Sequence, residues 1–196
     1  MGLNGVVAKV TEADPTRARL LEAALELLLE RGYRGATTRA IAQRAGVNEV
    51  TLFRHFGSKR ALLREALDRL RPSLAPPSPG KSLEADLRAL LEAYLRFLEE
   101  EGSLVLHLIP ELLRHPELRS EGPPKAVAAL LDRVVALFAH HQGAGRLWRR
   151  EPPETLALSF VGPLMARFLL GQALGVGFPL EPESYVQGFL RGRGSP

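Results

Sequence analysis

Hydroxyl, amide and cationic side chains gather at three points of the N-terminal third: Thr37-Thr38-Arg39, Asn48-Glu49-Val50-Thr51 and Ser58-Lys59. Each group stands just ahead of a short segment whose apolar residues recur at helical spacing. Side chains of this kind accept hydrogen bonds from the first free N–H groups of a helix, and those N–H groups together with the helix dipole favour an anion. The chemistry open to these residues is therefore capping, and the pairing of hydroxyl and cationic groups with anions such as phosphate. The common motifs of covalent catalysis are missing. The chain has no cysteine, no Gly-x-Ser-x-Gly elbow, no Gly-rich phosphate loop and no His-Glu-x-x-His, so nucleophilic, thiolate and zinc-peptidase chemistries have no carriers. His107, Glu111 and His115 share one helix face, but His107 and His115 stand about 12 Å apart along the axis, too far for one ion to take all three. No metal and no cofactor is expected.

The elements that must hold these groups follow from local rules. Asp14-Pro15 is an N-cap followed by the residue favoured at the first helical position. Leu20, Leu21, Ala24, Leu25, Leu28 and Leu29 then form an apolar stripe, and Gly32 is expected to end the helix as a left-handed C-cap. Thr37 or Thr38 caps a second, short helix with Ile41, Ala42 and Ala45. Gly46 breaks it, Asn48 caps a third through Phe56, and Ser58 caps a fourth from Lys59 to about Leu70. Such short helices bury a core only by packing on one another. Ala42 is small enough for a close crossing, Gly46 supplies a turn, and Val47, Leu52 and Phe56 pin the following helix. This is helix-turn-helix spacing, and it turns Glu49, Val50, Thr51, Arg54 and His55 outward, where a helix can enter a major groove.

Charge agrees with that reading. Residues 1–71 carry thirteen basic and eight acidic side chains, a net +5, whereas the remaining 125 carry thirteen and fourteen. The excess positive charge lies wholly on the part expected to meet phosphates.

Over residues 14–71 the sequence resembles the TetR family of transcriptional regulators. The matching residues are Gly32-Tyr33, Thr37-Thr38, Ile41-Ala42, Ala45-Gly46-Val47, Thr51-Leu52-Phe53, Phe56, Ser58-Lys59 and Leu62. The resemblance implies that Thr38 and Arg39 touch the phosphate backbone. It further implies that Glu49, Val50, Thr51 and His55 face bases or the sugar-phosphate edge, and that Lys59 binds phosphate. With Asn48, Phe53 and Arg54 these make the expected DNA-binding set. Two departures stand out: Phe53 replaces the usual tyrosine and removes a hydroxyl, and Val50 adds an apolar surface suited to a thymine methyl. Glu49 is expected either to accept from a cytosine amino group or to turn to solvent.

Beyond a Pro-rich linker at 72–81, residues 82–194 read as further helices: one from Ser82 to Glu101, one from Ser103 to His115 interrupted at Pro110, and others opened by Pro123-Pro124, Pro152-Pro153 and Pro182. The chain is thus expected to be all-α, with a flexible arm at 1–13, a DNA-binding head at 14–71, the linker, and an effector-binding and dimerisation domain of about five helices. Leu156–Leu180 holds a single charge, Arg167. Burying that arginine in a bilayer would cost about 2.5–3.5 kcal/mol, so a protein interface is expected there rather than a membrane span. The expected dimer contacts are Phe160, Leu164, Phe168, Leu169, Ala173, Tyr185 and Phe189. By the resemblance, the middle helices enclose an apolar pocket. The candidates for its wall are Tyr94, Leu98, His107, Leu108, Arg133, Leu137, Phe138, Phe160, Leu164 and Arg167.

Together these features describe a cytoplasmic homodimeric repressor that binds a palindromic operator on double-stranded DNA. A small apolar or acyl-type effector is expected to release it. The competing reading is a helical enzyme or metal-dependent sensor that uses the head only as a scaffold.

Overall fold

Asp14 caps the first helix as its type and position dictate, with Oδ1 accepting the N–H groups of Thr16 and Arg17 at 2.9 and 3.3 Å. The computed structural model describes residues 14–70, 72–120 and 122–193. The expected arm over 1–13, Arg71 at the end of the expected head, and residue 194 lie outside them. Among the described residues there are eight α-helices, one 3-10 turn and no strand. The chain divides into two units, residues 1–73 with 101–128, and residues 74–100 with 129–196.

In the first unit α1 (Pro15–Gly35), α2 (Thr38–Arg44), α3 (Glu49–Phe56) and α4 (Lys59–Asp68) enclose a leucine core. Leu20, Leu21, Leu25, Leu28, Ile41, Leu52, Leu62, Leu63 and Leu67 are buried, as their helical spacing requires. Fully burying side chains of this size contributes about 1.5–3 kcal/mol each, which holds together helices too short to persist alone. The same core takes in Leu104, Leu108 and Leu118. The head therefore does not end at the expected linker: residues 101–128 complete its apolar surface.

Gly32 does not form a left-handed C-cap. It has φ 68° and ψ 178°, and one more helical turn follows it. That backbone region is open essentially only to glycine, and a Cβ there would stand 3.0 Å from the Glu111 carboxylate. Gly32→Ala is expected to destabilise the protein by about 1–3 kcal/mol. Chemical denaturation checks this, and an unchanged midpoint would contradict it.

Four more helices follow, two of them shared between the units. Residues Leu83–Arg114 form a single 32-residue helix, α5, capped by Ser82 and continuous through Gly102, Ser103 and Pro110. Two helices were expected there. Gly102 is buried, and packing outweighs the roughly 1 kcal/mol that an interior glycine costs. Pro110 removes one backbone donor without ending the helix. Residues 83–100 of α5 belong to the second unit with most of α6 (Lys125–Gly143), α7 (Pro153–Leu174) and α8 (Pro182–Arg193).

The core of the second unit is aromatic. Phe160 meets Phe138, Phe189 and Tyr185 at centroid separations of 6.0, 5.1 and 5.4 Å. The Tyr185 hydroxyl donates to the Phe160 carbonyl. Burial pushes the Tyr185 phenol up to about 12, and burial with Tyr185 beside it does the same for Tyr94.

The Pro-rich stretch is not a free spacer. Leu74 and Pro76 are buried, Gly80 N–H donates to Asp86 at 2.6 Å, and Arg133 donates to the Pro76 carbonyl at 3.3 Å. Asp86 in turn accepts from the fully buried His141, whose other ring nitrogen faces the Arg146 guanidinium at 3.1 Å. An arginine can only donate, so His141 carries its proton on Nε2, toward the carboxylate.

Candidate nucleic-acid interface

The helix-turn-helix is set by four local bonds and one buried pairing. Thr37 Oγ1 accepts from Ala40 N–H at 3.1 Å, Asn48 Oδ1 from Thr51 N–H at 2.9 Å, and Ser58 Oγ from Ala61 N–H at 3.1 Å. Gly46, at φ 68°, turns the chain so that Val47 N–H reaches the Ala42 carbonyl at 3.0 Å. Ala42 and Leu52 are buried where α2 and α3 cross. Arg17 then ties three helices: it forms a two-pronged pair with Glu65 at 2.8 and 2.7 Å and lies 4.6 Å over the Phe56 ring. Such forked, half-buried pairs fix geometry as well as charge.

Within this frame the expected contact residues fall into two groups. Arg39, Asn48, Val50, Phe53 and Arg54 are exposed. The others are engaged inside the protein. Thr38 Oγ1 donates to Glu49 Oε1, which ties the half-buried Glu49 carboxylate back to α2. The Thr51 hydroxyl donates to Asn48 Oδ1 at 2.9 Å. His55 Nδ1 stands 3.5 Å from Asp14 Oδ2, linking the end of α3 to the cap of α1. Burial works against ionisation of Asp14, but the N–H groups of Arg17 and Thr16 and the charge of His55 outweigh it and hold the carboxyl below its usual range. Lys59 donates to the Tyr33 carbonyl and lies 4.1 Å over the Tyr33 ring, and burial lowers its pKa. Lys59 thus braces α4 against the end of α1. Apart from Asn48, these partners come from other helices, which is why sequence reasoning missed them.

The same corner absorbs two of the three residues considered for a metal. Glu111 accepts Tyr33 N–H at 2.6 Å and pairs with Arg114 at 2.8 Å. His115 stacks on Tyr33 at 4.4 Å and lies 3.2 Å from Glu117. His107 instead donates to the Ser103 carbonyl one turn back. Among the described residues no set of three or more metal-binding side chains converges.

The expected effector-wall residues are divided between the two units. Tyr94, Leu98, Leu137, Phe138, Phe160 and Leu164 are buried in the second unit, whereas His107 and Leu108 belong to the first. Arg133 is exposed with its guanidinium on Pro76, and Arg167 donates to the Phe178 carbonyl.

Part of the expected dimer set is turned inward. Phe160, Leu164 and Phe189 are core residues of their own chain, and Tyr185 is tied to Phe160. Phe168 and Leu169 are half-buried and Ala173 exposed. The large apolar groups left outside on and after α7 are Leu158 (67%), Leu170 (52%), Leu174 (64%), Val176 and Phe178. α7 is long and apolar enough to cross a membrane, yet only 22% of its most apolar stretch is buried in the chain.

An all-α chain with a capped, pinned helix-turn-helix at one end is a nucleic-acid-binding architecture, and comparison with known proteins identifies which one. The family model for bacterial regulatory proteins of the TetR type matches residues 20–66. The tetracyclin-repressor-like C-terminal domain model matches 77–177, more than half of the chain. The chain belongs to the TetR family. It is 46% identical over 94 residues to the HTH-type transcriptional regulator YvkB of Bacillus subtilis, covering 46% of this chain and 49% of that one. It is 32% identical over 142 residues to the transcriptional activator FasR of Mycolicibacterium smegmatis, covering 65% and 64%. The chain thus spans about half to two thirds of these relatives' lengths. Among solved structures it is similar to the flavonoid-responsive regulator FrrA, with a TM-score of 0.70 and 25% identity over 91% of this chain and 97% of that one. The family and these relatives are regulators, not enzymes.

Proposed function

We propose that this protein is a cytoplasmic transcriptional repressor that binds a palindromic operator as a homodimer and is released by a small apolar or acyl-type effector. The observation that carries the reading is the outer face of α3. It is fixed by the Asn48 cap and buried Leu52, it presents Val50, Phe53 and Arg54 outward, and it sits on the part of the chain with a net +5 charge. The homodimer is supported by the leucines that α7 leaves uncovered. The effector is supported by the second unit's Leu-, Val- and Phe-rich make-up, and by the name of FrrA, a flavonoid-responsive regulator. Mechanistically the effector need only bind the DNA-incompetent arrangement better than the competent one.

Selection from random double-stranded DNA is expected to enrich a palindrome with half-sites about one helical turn apart. Affinity for it is expected to fall steeply with salt as counterions are released. A true effector must both raise Tm and release that operator, because linkage couples the two. FasR is named an activator, so transcription beside the operator is the second readout: loss of the protein should raise it. If selection enriches no two-fold symmetric sequence, the proposal fails.

A further inference from the structure

We infer that Val50 and Phe53 form a thymine-methyl reader, so that each operator half-site is recognised in part through two 5-methyl groups one or two base pairs apart. The inference rests on the operator-binding reading above and specifies its chemistry. On the face of α3 expected to meet the groove, several polar groups are already engaged. Glu49 accepts the Thr38 hydroxyl, Thr51 donates its hydroxyl proton to Asn48, and His55 lies against Asp14. One hydrogen-bonding atom of each is thus committed to holding the helix in place.

Two of the exposed side chains of α3 are bulky and apolar. Val50 is 75% exposed and Phe53 46%, and Arg54 is exposed beside them. Positions 50, 53 and 54 lie on one helical face. Two bulky apolar groups beside the exposed Arg54 have one complementary feature in the major groove. Only thymine carries an apolar substituent there, its C5 methyl. Val50 and Phe53 are separated by about 4.5 Å along the helix axis, against about 3.4 Å between successive bases, so the two methyls should sit one or two base pairs apart. Arg54 stands next to Phe53 in sequence and can supply a phosphate or guanine contact.

The test removes only the methyls. The selected operator is synthesised with deoxyuridine in place of each thymidine in turn, which keeps base pairing intact. At two positions per half-site the wild-type protein should lose roughly threefold to fivefold in affinity, the worth of one buried methyl. Val50→Ala should lose discrimination between thymidine and deoxyuridine at one of these positions, and Phe53→Ala at the other. Both positions are exposed, so neither change should alter folding, and circular dichroism checks that. Equal affinity for the thymidine and deoxyuridine operators would overturn the inference while leaving operator binding intact. So would discrimination that survives in both variants. Failure to bind any selected operator would overturn it together with the reading beneath it.

Discussion

Leu170→Glu combined with Leu174→Glu is expected to give a monomer by light scattering at micromolar concentration and to cost at least about a hundredfold in operator affinity. The two leucines lie one turn apart on α7 and stand 52% and 64% exposed, in a helix whose inward face is already formed by Leu156, Ala157, Phe160 and Leu164. An exposed apolar stripe of this length on a folded chain is a contact surface. If a second copy covers it, two-fold symmetry places both new carboxylates of both chains in the interface. An uncompensated buried charge costs about 3–5 kcal/mol, and each 1.4 kcal/mol is tenfold in association. A monomeric head then binds one half-site without its linked partner and forfeits a gain of roughly 10²–10⁴. Because both side chains are outside the core, helicity should be unchanged. A wild-type protein already monomeric at micromolar concentration, or a double variant that remains dimeric, would show that α7 is covered by something else.

The contrast between α7 and α3 shows what the sequence could convey. The starts of α1, α3 and α4 were legible because Asp14, Asn48 and Ser58 act on N–H groups two or three residues away, a purely local interaction. The head's core was legible because Leu20, Leu21, Leu25 and Leu28 keep one phase of the helical period. α7 offers no such phase. It is apolar on every side, so spacing could not tell Phe160 and Leu164, which face inward, from Leu158 and Leu170, which do not. The merging of two expected helices into α5 was hidden for a related reason. Gly102 and Pro110 disfavour a helix locally, and only burial of the surrounding leucines reverses that. At the candidate interface, exposure of Val50 and Arg54 followed from their position on α3, whereas that of Phe53 did not. The engagement of Glu49 by Thr38, His55 by Asp14 and Lys59 by Tyr33 required knowing how α2, α1 and α4 pack on one another.

Phe160→Ala is expected to lower stability by about 3–5 kcal/mol, a large share of the 5–15 kcal/mol that typically holds a domain folded. Phe160 is fully buried, and Phe138, Tyr185 and Phe189 surround its ring at centroid separations of 5.1–6.0 Å. Close-packed aromatic rings leave little room for collapse, so the change removes both the transfer energy of the ring and its contacts with three neighbours. The Tyr185 hydroxyl bonds to the backbone carbonyl of residue 160, not its side chain, so that anchor survives and the loss can be assigned to packing. The effect separates a core role from the interface role expected of this residue on sequence alone. A core residue should lower the denaturation midpoint at every protein concentration by a similar amount, with folded variant still dimeric. An interface residue should produce a folded monomer and a loss that fades as concentration rises. Urea titrations at two concentrations a hundredfold apart, read beside the oligomeric state, decide between them.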